Sequence, residues 1–285
     1  MSTYIEAPEL LRFSTGGAKL TDLTTWYSIP AGYTCRGAKE CLSRAHKTTG
    51  KIKDGKDTVY RCYEASLEAI YKSVRQKNWH NHGLIYPLRN DHDALLELIQ
   101  NSIDVCAPGT RILRPHVGGD FHWYPYFKAM MSYALNNPDV LVYFYTKSID
   151  YWVDYVGAHG DLPPNVVANA SWGGKYDHLI ADNHLKSVML EYVKHPEVEE
   201  WYDHDDNIAM IHPVNWRGPR LSNGSPVFYQ LLHGTQPAGT YASKALSDLK
   251  KAGQGGYNKK NKSKAINVKT FNTYKEQNEK VLLPL

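Results

Sequence analysis

The sequence predicts an α/β protein whose parallel βα units form a partial (β/α) barrel, followed by an irregular C-terminal region. Three observations predict it. Apolar, strand-like runs recur at RILRPHV (111–117), VLVYFYT (140–146), VVANAS (166–171) and NIAMIH (207–212). Each follows a turn signal: Pro108-Gly109, Asn137-Pro138, Pro163-Pro164-Asn165 and Asp205-Asp206. The chain between successive runs is long enough for a crossover helix, which parallel strands require.

Residues 1–25 read as an irregular lead-in with a turn at Gly16-Gly17, and 26–29 as a short first strand closed by Pro30. The run YEASLEAIYKSVRQKNW (63–79) has helical spacing at Ala65, Ala69, Ile70 and Val74. A second helix is expected from Asp91, a good N-cap, through Leu95, Leu98, Ile99 and Ile103. YFKAMMSYALNN (126–137) and DNHLKSVMLEYVKH (182–195) are the clearest crossover helices. Beyond His212 the rhythm dissolves: NWRGPRLSNGSP is turn-rich, and VFYQLLHG is one more strand or a short helix. The expected division is one α/β domain over 1–249 and a basic, flexible tail over 250–285.

With 285 residues, 42% of them apolar and 22% charged, the chain has the composition of a soluble globular protein. Its 21 tyrosines and 7 tryptophans suit binding surfaces as well as packing. No run of about 18 apolar residues exists to span a membrane. MSTYIEAPELLRF carries acids and lacks the charged-then-apolar order of a signal peptide. A cytosolic site is therefore expected, where thiols stay reduced and grouped cysteines point to metal rather than disulfide.

Cys35, Cys41 and Cys62 lie in one loop rich in turn formers and lysine, just after the first strand. Thiolates so separated can converge on one metal centre. A [4Fe–4S] cluster held by three cysteines leaves one iron open to a small ligand. A zinc site completed by His46, or three unrelated thiols, are the alternatives. Cys106 precedes its strand, belongs to the opposite face and is expected to be a buried, inert thiol.

Ligands of parallel sheets bind outside the carboxyl ends of the strands. After the second strand comes Gly118-Gly119-Asp120, flanked by His116 and His122. It is either a plain strand-to-helix turn or backbone close to a ligand, with Asp120 accepting a hydrogen bond from the ligand's amine. Lys147 and Ser148 follow the third strand, Trp172-Gly173-Gly174 the fourth, and His212 ends the fifth. Lys147 is a candidate anion contact. The candidates for a fourth iron ligand are His46, His116, His122 and His212. Lys250, Lys251, Lys259, Lys260, Lys262 and Lys264 crowd a glycine-rich stretch that is either a solvated linker or a nucleic-acid contact.

The pieces TCRGAKECLSRA, KTTGKIKDGKDTVYRCYEAS, RPHVGGDF and VYFYTKS resemble, in this order, the phage-associated domain called gene product eighty-eight. They cover roughly residues 14–172. The resemblance implies a phage protein acting in the cytoplasm of an infected bacterium, and implies no particular activity. The cysteine loop and the Gly118-Gly119-Asp120 element are also similar to radical S-adenosylmethionine (SAM) enzymes. Those hold a [4Fe–4S] cluster by three cysteines after the first barrel strand and bind the SAM amine at a Gly-Gly-Glu-like element. Here the cysteine spacing is wider, Asp120 stands where the glutamate would, and no cysteine follows Cys106 to hold a second cluster.

The leading expectation is a phage iron–sulfur protein with a redox role, either electron exchange with a partner such as a ferredoxin or radical-SAM-like chemistry. In the latter, Gly118, Gly119, Asp120 and Lys147 would position SAM. The alternative is an accessory protein that binds nucleic acid or a host protein, with a structural cluster or zinc.

Overall fold

The computed structural model describes residues 9–17, 20, 22–203 and 206–254. Its centre is a seven-stranded sheet in the order β1 (Ser14–Thr15), β2 (Thr24–Trp26), β5 (Ile112–Arg114), β6 (Leu141–Thr146), β7 (Val166–Ser171), β8 (Ser187–Glu191), β9 (Val227–Leu231). Within this sheet only β1 runs antiparallel to its neighbour; β2, β5, β6, β7, β8 and β9 are parallel and follow one another in chain order, without a reversal. A separate hairpin pairs β3 (Ser43–Ala45) with β4 (Ile52–Asp54) inside the cysteine loop.

The central strands look continuously apolar because both of their faces are buried. On one face Leu113, Val142, Phe144, Val166 and Ala168 pack against α3 (His92–Cys106), α4 (Tyr124–Asn136), α5 (Ile149–His159) and α6 (Asp177–Asp182). On the other, Ile112, Leu141, Tyr143 and Val167 meet Ala209, Met210 and Trp216. The period of two along each strand separates the two sets. α3 starts as expected, with the Asp91 carboxylate accepting from the amides of Asp93 and Ala94.

Four expectations are corrected. The stretch 182–195 is not a crossover helix: its apolar core is β8, paired with both β7 and β9, and the helix here is the short α6. Nor is 207–212 a strand. It is a run of turns lying over the inner sheet face, and its carbonyls are taken by side chains. The Lys186 ammonium, 1% exposed, donates to the carbonyls of Ile208 (2.8 Å), Ala209 (2.8 Å) and Ile211 (2.9 Å), while Asn169 also donates to Ala209. Apolar side chains bury Ile208–Ile211 as a strand would be buried, but a lysine replaces the ladder. The helix expected over 63–79 breaks at Tyr71, in extended backbone, into α1 (Tyr63–Ile70) and α2 (Lys72–Ile85). Cys106 closes α3 on its solvent side and is exposed, not buried. The run VFYQLLHG (227–234) resolves as a strand, β9, followed by α7 (Tyr241–Lys251).

Candidate functional site

A cavity of about 530 Å³ opens at the carboxyl ends of the parallel strands, within the size range of small-molecule sites. Cys35, Cys41 and Cys62 line it, and so do Gly118, Gly119, Asp120 and Lys147. The seven residues expected from the sequence to hold a cluster or a small ligand thus share one chamber.

The three cysteines reach it by different local routes. Pro30 ends the extension of β2, and Gly32, at φ +71°, turns the chain so that its amide donates to Cys35 Sγ at 3.2 Å. Cys41 precedes the β3–β4 hairpin. Cys62 is the N-cap of α1. The three side chains are half-buried against the outer surface but open to the cavity. Burial, then the proximity of Cys41, pushes the Cys62 thiol up to about 12, while the first-turn amides of Glu64 and Ala65 favour its thiolate without forming a full capping hydrogen bond. Cys35 is also raised, by burial and then by Asp120, Cys62 and Cys41. Even so, among the described residues no three Cys, His, Asp or Glu side chains lie close enough to hold a single metal ion. His46, the suggested fourth zinc ligand, is spent in the hairpin turn, where its Nδ1 accepts from Thr48 and Thr49.

The strand ends are clipped to one another in sequence. Ser28 accepts from the Gly118 amide at 3.0 Å, joining β2 to β5. Asp120 joins β5 to β6: its carboxylate accepts from the Thr146 hydroxyl (2.7 Å) and the Lys147 amide (2.8 Å), besides the Phe121 amide (2.8 Å). Lys147 joins β6 to β7 by donating its ammonium to the carbonyls of Ser171 (3.0 Å) and Trp172. Both side chains thus have structural work on the rim, which leaves each with spare bonding capacity rather than a free end. Burial raises Asp120 to about 6 against these hydrogen bonds. Gly118 allows close packing: a Cβ there would lie 2.0 Å from Glu64 Cγ. Gly119, at φ +86°, lies against Ile29 and Thr34. The turn and the ligand-facing readings of this element therefore coexist.

Of the four histidines considered for the open iron, only His116 lines the cavity. Its φ of +61° is a strained conformation for a non-glycine residue. Burial lowers it to about 3, its Nε2 lies 2.9 Å from Tyr126 Oη, and its Nδ1 has no partner among the described residues. His122 donates to Thr34 O, and His212 caps the short 3₁₀ turn Pro213–Asn215. Trp172-Gly173-Gly174 is a helix-start turn in which the two glycine amides donate to Asp177.

Sequence reasoning missed Arg114, Tyr63, Asp206 and His233, which complete the wall. Arg114 pairs with Asp206 at 2.6 Å, and Asp206 also accepts from the Tyr143 and Tyr145 hydroxyls. Arg114 stood inside the strand motif RILRPHV, where a charge within an apolar run was the available signal. Of the lysine-rich stretch, Lys250 and Lys251 close α7, and Lys259, Lys260, Lys262 and Lys264 lie outside the described residues.

A family model described as Gene product 88 matches residues 8–269. The chain belongs to the Gene product 88 family. No curated protein and no solved structure matches it. The family match covers the cysteine loop, the rim and α7, so the candidate site lies wholly within the Gene product 88 region. Among the described residues no helix is long and apolar enough to cross a membrane.

Proposed function

We propose that this Gene product 88 protein is an iron–sulfur protein of phage origin, holding one [4Fe–4S] cluster through Cys35, Cys41 and Cys62 for redox work in the host cytoplasm. The observation that carries the reading is the convergence of three loop thiols on one cavity at the carboxyl ends of parallel strands. The donor set fits: thiolates are the ligands of such clusters, and a multi-iron cluster, wider than a single ion, suits thiols that converge without closing on one point. The sequential strand order is the order of a (β/α) barrel and supports reading the sheet as part of one.

When bound, such a cluster supplies one-electron chemistry and, with three protein ligands, one coordination position for a small molecule. The protein's share is to hold and surround it. The Gly32 amide and the first turn of α1 place hydrogen-bond donors and a helix N-terminus beside Cys35 and Cys62, which favours thiolates against the cost of burial. Gly118, Gly119, Asp120 and Lys147 bound the space beside the thiols, where SAM or another small ligand would lie. A ferredoxin-like donor would supply electrons.

The test is purification without oxygen, followed by iron and acid-labile sulfide analysis of wild type and of Cys35→Ala, Cys41→Ala and Cys62→Ala. About four irons and four sulfides per chain, lost in each variant, are expected. A colourless protein after reconstitution, or iron retained in all three variants, would refute the cluster. Formation of 5′-deoxyadenosine from SAM by the reduced protein separates radical chemistry from plain electron transfer.

A further inference from the structure

Next to the cavity, the outer face of the β3–β4 hairpin and of α2 carries a second constellation that the redox reading leaves unused. Six cations, Lys39, Arg44, Lys47, Lys51, Lys53 and Lys56, lie on residues 39–57 against Glu40, Asp57 and an Asp54 already paired with Arg61. Among the described residues none of the six makes an ion pair. Arg44 and Lys53 are directly opposed across the hairpin, and both are exposed. Like charges opposed on a two-stranded ribbon destabilise it, so the fold keeps a repulsion that an anionic partner would relieve.

Aromatic rings continue from this cationic face without a gap. Tyr33 meets Trp79 at 5.1 Å between ring centroids, Trp79 meets His82 at 5.3 Å, His82 meets Tyr86 at 5.5 Å, and Tyr86 meets Trp123 at 5.7 Å. Cations sit over these rings: Lys47 over Trp79 (4.8 Å), Arg44 over Tyr33 (5.5 Å) and Arg89 over Tyr86 (4.3 Å). Tyr33 is 37% exposed and Tyr86 48%. Trp79, His82 and Tyr86 follow one side of α2, and at 1.5 Å per residue the stripe from Trp79 to Tyr86 is about 10 Å long. The Arg75 guanidinium fixes the hairpin to α2 by donating to Lys47 O at 3.0 Å and to Thr48 O at 3.4 Å.

We propose that the stripe from the β3–β4 hairpin along α2 to Trp123 binds single-stranded nucleic acid. Bases stack on the exposed rings of Tyr33 and Tyr86, and phosphates lie against Arg44, Lys47, Lys53 and Arg89. Stacking platforms flanked by cations are how sequence-tolerant single-strand binding works. An acidic protein surface would use the charges but not the ring faces. The site shares neither residues nor metal with the thiol cavity, so each reading can fail alone.

The test is fluorescence anisotropy of labelled dT12 and rU12 with the full-length protein as purified without oxygen. Saturable binding is expected, weaker for duplex DNA, with log K falling against log salt at a slope of about −3 for four phosphate contacts at roughly −0.7 each. R44E/K53E should weaken binding at least tenfold and flatten that slope. Tyr86→Ala should weaken it roughly 5- to 100-fold without changing the slope, and Tyr86→Phe should restore it. Comparing dT12 with rU12 reads the contribution of the sugar. Three results would overturn the proposal: no binding at low salt, equal binding of polyglutamate, or binding that survives R44E/K53E and Tyr86→Ala but is lost when Lys259, Lys260, Lys262 and Lys264 are changed together to Gln. Unchanged thermal unfolding of the surface variants separates lost contacts from lost fold.

Discussion

Glu68 lies beneath the cysteine loop with no exposed surface, and its replacement by glutamine gives a quantitative test of how that loop is held. Its Oε1 accepts from the Ala31 amide at 2.9 Å and from Asn78 Nδ2 at 2.7 Å, while its Oε2 has no partner among the described residues. Burial, helped by the nearby charge of Glu64 and opposed by these hydrogen bonds and Arg75, raises its pKa from 4.5 to about 7. The folded protein therefore keeps a proton that the unfolded chain has released between those two values. Stability from this group is complete below pH 4.5, falls as the pH rises, and levels off above about 7. A shift of that size corresponds to about 3 kcal/mol at 1.36 kcal/mol per unit. Glu68→Gln keeps an oxygen for Ala31 and Asn78 but never ionises. Urea unfolding from pH 5 to 8.5 should show the variant more stable than wild type by about 2–3 kcal/mol at pH 8, and near parity at pH 5. Subtracting the two curves cancels Asp120, which titrates in both, and leaves Glu68 together with its electrostatic effect on Glu64. Curves that stay parallel across the range would refute the argument that Glu68 is buried as an acid.

Lys186→Met removes one ammonium and leaves the carbonyls of Ile208, Ala209 and Ile211 without that donor. Ala209 O keeps Asn169 and Ile208 O keeps the Ile211 amide, so Ile211 O is the carbonyl stranded. At roughly 1–3 kcal/mol for a stranded buried group, offset by relief of a buried charge, a net loss of about 1–2 kcal/mol is expected in urea unfolding, with faster proteolysis near residue 208. Gly118→Ala drives a methyl group to 2.0 Å from Glu64 Cγ. An overpacking cost of about 1–3 kcal/mol should appear as a lower melting temperature, and unchanged melting would show that the rim and α1 are not in tight contact.

The α/β class, the parallel order and the strands at 141–146 and 166–171 were legible because strands buried on both faces leave dense apolar runs bounded by turn formers. The runs 182–195 and 207–212 misled for complementary reasons. In the first, Leu185, Val188, Met189 and Tyr192 fit a helical period although only five residues form the strand between β7 and β9. In the second, apolar residues are buried by a lysine that captures their carbonyls, and Lys186 is 22 residues from the nearest of them. No local pattern encodes that contact. The thiols and the glycine element were legible because turn residues and reactive side chains stand out in a loop. Arg114 and Asp206 were not, because their meeting depends on how a later segment folds over the inner sheet face.

The same residues that make the rim chemically suggestive also make it stiff. Ser28, Asp120 and Lys147 each tie one strand end to the next, from β2 across to β7, using side chains where the backbone ladders stop. The cysteine loop is tied to that rim in turn. The Glu40 amide donates to Gly173 O at 3.0 Å, the Lys175 amide donates to Gly37 O at 2.8 Å, and Gly37 packs so tightly on Lys147 that a Cβ would lie 1.9 Å from its carbonyl oxygen. Three thiols carried on loop therefore do not move independently of the sheet. Fixed donors lose less conformational entropy when they take up a ligand than donors that must first be gathered. A loop of this length needs such anchoring to present Cys35 and Cys62 to a common space, and the glycines that permit it are the ones the sequence places at each point of close approach.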